Sequence, residues 1–304
     1  MAEIDFIAAR LAPLATSVAA RGLADDAAVW APPLGRDLVF THDVLACGVH
    51  YLPDDPASDI AWKLLAVNLS DLAAMGAVPA GVLLGLGMSN AEDDRWRGDF
   101  TAGLGRALAA FGVALWGGDT VTGLDRAVLG LTAIGHVAPG QALGRCGACA
   151  GDDIWVSGVI GAAGRGLAVA RGDMPFDKAL RNRFRRPTPR LALGAALVGV
   201  ASACIDVSDG LLIDADRVAR ASGVRLAIAI DAVPVSGPVL AAVTAGDDYE
   251  LLFTAAPGAE IAARAAAAGT PVTRIGTVTA GIGVAALAAD AGDVTPPRLG
   301  WEHR

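Results

Sequence analysis

Short apolar runs bounded by glycine or acidic residues alternate along the chain with longer segments whose apolar positions recur at helical spacing. In the first half this predicts a short helix near residues 3–11, strands at Ala27–Ala31 and Asp37–Thr41, and a long helix around Asp59–Gly76. A strand at Gly81–Leu86 follows, then a helix over about 93–112 opened by acids that suit its positive end, and strands at Val113–Trp116 and Ala127–Val137. The Gly/Ala-rich segment Ala138–Gly151 marks a predicted boundary between domains at 1–138 and 139–304. Beyond it the pattern predicts a strand at Asp153–Ser157, a helix through GAAGRGLAVARG (161–172), a polar basic connector and a helix at Pro189–Val200. A short strand, ACIDV, then runs into Ser208-Asp209-Gly210 and the helix Leu211–Ser222. Strands at Arg225–Ile230, Tyr249–Thr254 and Thr273–Val278, with Ala-rich helices between them, complete the chain. No repeat period is evident. Strand–helix alternation in both halves predicts two α/β or α+β domains.

The most informative stretch is KLLAVNLSDLAAMGAVP (63–79). Leu64, Leu65, Val67, Leu69, Leu72, Ala73 and Met75 make this helix apolar on most sides, so it should be buried, yet it carries Asn68 and Asp71 on one face. A buried carboxylate is costly unless a cation or hydrogen-bond donors meet it. Asp71 is therefore either an acid met by a cation or a capping or core-paired acid.

Composition narrows the class. Apolar residues make up 54% of the chain, much of it Ala, and aromatics only 5%. The longest apolar run, Leu191–Ile205, is too short to span a bilayer, and the N-terminus MAEIDFIAARLAP lacks the form of a signal peptide. A cytoplasmic protein with no membrane partner is expected. The net charge is −8 and the lysines are Lys63 and Lys178, so no basic stripe suited to nucleic acid is present. Cys146-Gly-Ala-Cys149 has no second pair at zinc-site spacing and reads as incidental, as do Cys47 and Cys204. The run Arg181–Arg186 reads as a solvated loop, or alternatively as a loop that steers phosphates.

Acids recur next to apolar runs: Asp25-Asp26, Asp43, Asp71, Asp119 in GGDT, Asp206 and Asp209 in DVSDG, and Asp247-Asp248 in AGDDYELL. Each is ordinary turn chemistry by itself. Together they offer the hard oxygen ligands that Mg²⁺ requires, and Asp beside Gly lets backbone N–H groups approach phosphate oxygens. The P-loop, the Rossmann fingerprint, the protein-kinase set and the GxSxG elbow are all missing from the sequence.

The ordered series DDAAV (25–29), THDVLACGVHY (41–51), KLLAVNLSDLAAMGAVP (63–79), GGDT (117–120), DVSDGL (206–211) and AGDDYELLF (245–253), closing with GW (300–301), resembles the thiamine-monophosphate kinase family. That family shares a superfamily with aminoimidazole ribonucleotide synthetase and selenophosphate synthetase. The resemblance implies a two-domain synthetase-like fold, a dimer formed through the N-terminal sheets, and transfer of the ATP γ-phosphoryl group to thiamine monophosphate with several Mg²⁺ ions. It aligns Asp26, Asp43, Asp71, Asp119, Asp206 and Asp209 with the family's magnesium-binding acids, with Thr41 and His42 lining the same cluster. Gly118, Asp119, Arg145 and Ser208 match nucleotide positions, and His50, Glu250 and Trp301 match acceptor positions. No general base is implied. The chain departs from the family at Ala24, where Gly usually precedes the acidic pair, at His42, where a small hydroxyl residue is usual, and at Tyr51, where Phe is common. Imidazole is a poor Mg²⁺ ligand, so a backbone carbonyl is the alternative donor at position 42. A sibling synthetase, a binding module without catalysis and a phosphohydrolase are the competing readings; the reactive Cys near the N-terminus expected of a selenophosphate synthetase is missing.

Overall fold

The computed structural model describes residues 3–302. The chain divides into two compact units, Met1–Leu72 with Val78–Pro139, and Ala73–Ala77 with Gly140–Arg304.

In the first unit α1 (Glu3–Phe6) runs into a π-helical turn at Ile7–Leu11. β1 (Asp37–Ala46), α2 (Ala57–Ala74, of which Ala73 and Ala74 are counted with the second unit), β2 (Val78–Ser89), α3 (Asp94–Phe111), β3 (Ala114–Leu124) and β4 (Val128–Val137) follow. The four strands form a sheet in the order β1-β4-β2-β3, with β4 antiparallel to both neighbours and β2 parallel to β3. Along β1 the two-residue period is clear: Val39, Thr41, Asp43 and Leu45 are turned inward, whereas Leu38, Phe40, His42 and Val44 are exposed. Helix α2 is apolar nearly all round because it is buried nearly all round; Leu64, Leu65, Leu69 and Leu72 are wholly inaccessible. Helix α3 starts where the Asp93 side chain accepts the Trp96 N–H (2.7 Å) and stops at Gly112 in the left-handed region. The predicted strand at Ala27–Ala31 does not form. The segment is irregular: the Val29 N–H bonds to the Ala19 carbonyl (2.9 Å), and the Trp30 ring packs 5.0 Å from that of Trp116. Its apolar residues cover the sheet without joining it.

The second unit contains β5 (Asp153–Ser157), α4 (Ala162–Arg171), α5 (Lys178–Arg185), α6 (Leu191–Leu197), β6 (Ala201–Asp206), α7 (Leu211–Ser222) and β7 (Arg225–Ala229). Then come α8 (Val239–Val243), β8 (Leu251–Ala255), α9 (Ile261–Ala267), β9 (Val272–Thr279), β10 (Gly283–Ala288) and β11 (Gly292–Asp293). The sheet order is β11-β10-β7-β9-β5-β8-β6, with β7 and β10 parallel and the other neighbours antiparallel. Successive residues of the central strands enter two different cores. Ile154, Val156, Ile205 and Leu252 meet α7, whereas Cys204, Leu251 and Phe253 meet α6 and α9. Burial on both faces explains why these strands read as unbroken apolar runs.

The basic run is a helix and not the expected loop. Asp177 caps α5 by accepting the Ala179 (2.8 Å) and Leu180 (3.0 Å) N–H groups, and Phe184 is buried as its apolar anchor. Strand β10, GVAALA, escaped prediction because Ala dominates it and carries no strand preference. No helix among the described residues is long and apolar enough to cross a membrane.

Candidate active site

In the first unit the inward face of β1 meets α2. The Thr41 hydroxyl donates to the Asp71 carboxylate in a very short contact. Two residues on, the Asp43 N–H donates to Asn68 Oδ1 (2.9 Å), while Asn68 Nδ2 donates to the Leu64 carbonyl (2.9 Å). Asn68 is fully buried, and its hydrogen bonds fix β1 against the helix at the residue that carries the second acid. Thr41, Asp43 and Asp71 are thus brought together with a partly open surface.

His42 points the other way. Its Nδ1 lies 2.9 Å from Thr132 Oγ1 on β4, and the ring rests over Gly130, where a Cβ would come within 3.1 Å. Its imidazole is absent from the acid face, which leaves the main-chain carbonyl as the only donor it could offer there. The turn after β1 holds His50. Its Nδ1 accepts the Ala46 N–H (3.0 Å), so the neutral ring carries its proton on Nε2, and its carbonyl accepts from the buried Lys63 ammonium (2.9 Å).

Asp26 and Gly118 border a cavity of about 570 Å³ walled by Phe40, Trp30 and Trp116. Gly118 is required by the parallel pairing of β2 and β3: a Cβ there would stand 1.9 Å from the Leu84 carbonyl oxygen. Asp119, the next residue, is exposed and accepts the Thr120 N–H (2.9 Å).

In the second unit the DVSDG and AGDDYE motifs run side by side beyond the ends of β6 and β8. The Val207 N–H donates to the Glu250 carbonyl (2.7 Å), the Tyr249 N–H to the Val207 carbonyl (2.8 Å), and the Asp247 N–H to the Ser208 carbonyl (2.8 Å). Asp206, Ser208, Asp209 and Asp247 therefore share one end of the sheet. Trp301 joins them: its N–H donates to the Asp209 carbonyl (2.9 Å), and Gly300 sits so close that a Cβ would lie 2.5 Å from that oxygen. Its ring is half exposed, with the Arg298 guanidinium 5.9 Å from the centroid.

Arg145 lies apart from these groups, and Glu250 is occupied by protein donors. Arg145 is exposed, and its carbonyl accepts from Ser222 Oγ (3.1 Å) at the far end of α7, about 17 Å along the helix from Ser208 and Asp209. Glu250 is fully buried, and its carboxylate is taken up by protein donors. It accepts from Ser157 Oγ (2.6 Å), Arg183 Nη2 (2.7 Å), Arg190 Nε (2.7 Å) and Arg190 Nη2 (2.5 Å). Gly158 makes room for it, since a Cβ there would fall 2.1 Å from Oε1. The carboxylate of this motif with access to solvent is that of Asp247, held at positive φ (68°) and contacted by the Tyr249 hydroxyl (3.1 Å).

The sequence assigns no role to Asp214, Arg217 or Arg190, and it offers Asp248 only as one more acid and Arg183 only as part of a basic loop, whereas all five are engaged in buried or partly buried polar contacts. Asp248 accepts the Gly161 (2.6 Å) and Ala163 (3.1 Å) N–H groups at the start of α4, and burial pushes its carboxyl up to about 7 against those bonds. Asp214, also wholly buried, is pushed up to about 6 by the same cause, opposed by Arg217 and by backbone donors. An acid one turn into a helix that begins at a glycine turn is the signal that could have flagged Asp214.

The donor sets suit Mg²⁺. Among the described residues no three His, Cys, Asp or Glu side chains converge as a ready-made metal cage. Mg²⁺ does not need one, because it is held by one or two carboxylates and completes its shell with water and phosphate oxygens. Asp43 and Asp71 with Thr41 offer a set of that kind, and Asp206 and Asp209 offer carboxylates at one end of the second sheet.

Two such domains in tandem define an AIR synthase related protein: the family's N-terminal domain matches residues 24–137 and its C-terminal domain residues 150–287. Within that class the similarity is specific. The chain is 40% identical over 319 aligned residues to the thiamine-monophosphate kinase of Caulobacter vibrioides, covering 99% of this chain and 90% of the relative. The crystal structure of the thiamine-monophosphate kinase from Stenotrophomonas maltophilia is 42% identical with a TM-score of 0.79, covering 86% of this chain and 89% of that one. AaThiL complexed with AMPPCP and TMP is 29% identical with a TM-score of 0.79, covering 99% and 97% of the two chains. The chain belongs to the thiamine-monophosphate kinase family.

Proposed function

We propose that the protein transfers the γ-phosphoryl group of ATP directly to the phosphate of thiamine monophosphate, giving thiamine diphosphate and ADP. The observation that carries this reading is the meeting of Thr41, Asp43 and Asp71 at the β1–α2 contact, in a chain related to these kinases over nearly its full length. The acceptor needs no general base, because its second pKa is about 6 and it is already a dianion for most of its population at neutral pH. The obstacle is charge. Each pair of unit charges about 4 Å apart costs about 1 kcal/mol even in water, and more in a dry site. Mg²⁺, when bound, screens that repulsion and stabilises the departing ADP oxygen.

Asp26, Asp43, Asp71 and Asp119 in the first unit and Asp206 and Asp209 in the second are the magnesium-holding acids, with Thr41 and the His42 carbonyl beside them. Gly118 and Asp119 in the first unit, and Arg145 and Ser208 in the second, are the nucleotide-contacting positions. The aromatic cavity bordered by Asp26 and Gly118 is of a size to accept its base. His50 donates from Nε2 to the acceptor, and the Trp301 face stacks on its ring. Asp247 supplies the acceptor-side carboxylate, and Glu250 holds Arg183 and Arg190 in place. Phe40, Val44, Val121 and Val128 expose apolar side chains on the first unit's sheet, which supports a homodimer built on that surface. A cytoplasmic location fits the substrates.

ADP release and product identity with ATP and Mg²⁺, with and without thiamine monophosphate, test the reading. ADP and thiamine diphosphate formed only with the acceptor are expected. Acceptor-independent free phosphate would establish a hydrolase instead, and saturable acceptor binding without turnover a binding module.

A further inference from the structure

The turn that carries Ser208 and Asp209 is held in two separable layers. The first is main chain. Asp214, with no accessible surface, places Oδ2 to accept the N–H groups of Ser208 (3.1 Å), Asp209 (3.0 Å) and Gly210 (3.2 Å). From the other side the Trp301 N–H holds the Asp209 carbonyl (2.9 Å), and Gly300 packs against it. The backbone of Asp209 is therefore fixed at both its N–H and its C=O without any use of its side chain.

The second layer is one guanidinium. Arg217 Nη1 donates to Asp214 Oδ1 (2.5 Å), and Nη2 donates to Asp209 Oδ2 (2.7 Å). Its side chain is 36% exposed and that of Asp209 24% exposed, so the pair stands at the surface with a route to solvent. A divalent cation on the Asp209 carboxylate and a guanidinium on the same group repel each other and compete for the same lone pairs.

We propose that Arg217 is a displaceable counter-ion for Asp209, occupying its carboxylate until a divalent cation takes it. This rests on the reading of Asp209 as a metal ligand. Asp214 remains as the anchor to which the guanidinium stays bound after displacement, so the turn does not collapse when the exchange occurs. Arg217 thereby weakens cation binding while the nucleotide-free site keeps its shape.

The test is Mn²⁺ binding to the nucleotide-free, full-length protein, read from the free-ion electron paramagnetic resonance signal, with no turnover required. The Asp209-dependent component is the difference between the wild type and Asp209→Asn. For Arg217→Gln that component should tighten by about 1.5- to fivefold, the range for one partly exposed ion pair. Arg217→Lys, which reaches only one carboxylate, should give a smaller shift of the same sign and covers the case in which the Gln variant fails to fold. A purely structural ion pair predicts the opposite, because loosening the turn weakens binding. Unchanged or weaker Mn²⁺ binding in the Arg217 variants, with Asp209→Asn still weakened, overturns the inference alone. Unaltered binding in Asp209→Asn overturns the metal reading of Asp209 and the inference with it.

Discussion

Replacing Glu250 with Gln removes one negative charge from a fully enclosed site and leaves its four hydrogen-bond donors in place. Arg183 and Arg190 then face each other across a neutral amide whose NH₂ group cannot accept from either. Deleting one partner of a buried ion pair costs about 3–5 kcal/mol, because the surviving charge is left uncompensated. Arg183 keeps 29% of its side-chain surface and Arg190 17%, so partial hydration favours the lower end, about 3 kcal/mol. For a domain of this size that is a fall in melting temperature of roughly 6–12 °C. The assay is thermal and urea unfolding of the variant beside steady-state kinetics at a temperature where both proteins are folded. The expected result is a destabilised protein in which KM values for nucleotide and acceptor move little or together. A variant that melts within a degree of the wild type and loses affinity for thiamine monophosphate alone would refute the argument and return Glu250 to the acceptor site.

Other perturbations have definite signs. Asp71→Asn, which keeps the shape but halves the ligand capacity next to Thr41, should lower turnover at least tenfold with a raised Mg²⁺ requirement; undiminished turnover would sink the metal assignment. Gly118→Ala forces a Cβ toward the Leu84 carbonyl and should destabilise the first unit by about 2 kcal/mol or more in urea unfolding, since two backbones cannot yield as a side chain would. Asp248 has its carboxyl raised in the folded state from 3.8 to about 7, so the folded protein keeps a proton that the unfolded chain has lost. Its contribution is fully present below about pH 4 and fades as pH rises through about 7, worth roughly 4 kcal/mol across that window. Urea unfolding at a series of pH values should show this fall in the wild type and a flatter profile in Asp248→Asn.

Much of this fold was legible because hydrophobic period and burial coincide. α2 reads as an apolar helix with two polar intruders, and one of them, Asn68, proves to fasten β1 at Asp43. β1 and β3 run longer than the apolar clusters suggested, because Asp43 and Asp119 lie inside paired strands and not after them. Local chemistry misled where tertiary partners supply the missing charge. Six positions with four arginines look solvated until one of the six, Phe184, proves to be buried and Arg183 proves to meet the buried Glu250. The same concealment made Glu250 look accessible. A one-dimensional pattern identifies an acid but gives no account of donors that arrive from residues 157, 183 and 190. Trp301 and Asp209, ninety-two positions apart, are joined by a main-chain bond that no side-chain pattern reports.

The alternation along β1 also bears on how this gene can change in length. Its ten residues pair in unbroken register with β4, from Asp37 opposite Val137 to Ala46 opposite Val128. Losing or gaining a single codon there would send Thr41 and Asp43 to the surface that carries Phe40 and Val44, and bring those apolar groups against Asp71. A change of two codons would preserve the facing but shift the Asp43 amide away from Asn68. Length variation among descendants of this chain should therefore collect in the turn at Pro32–Arg36 and stop abruptly at Asp37, in a boundary visible to deletion scanning.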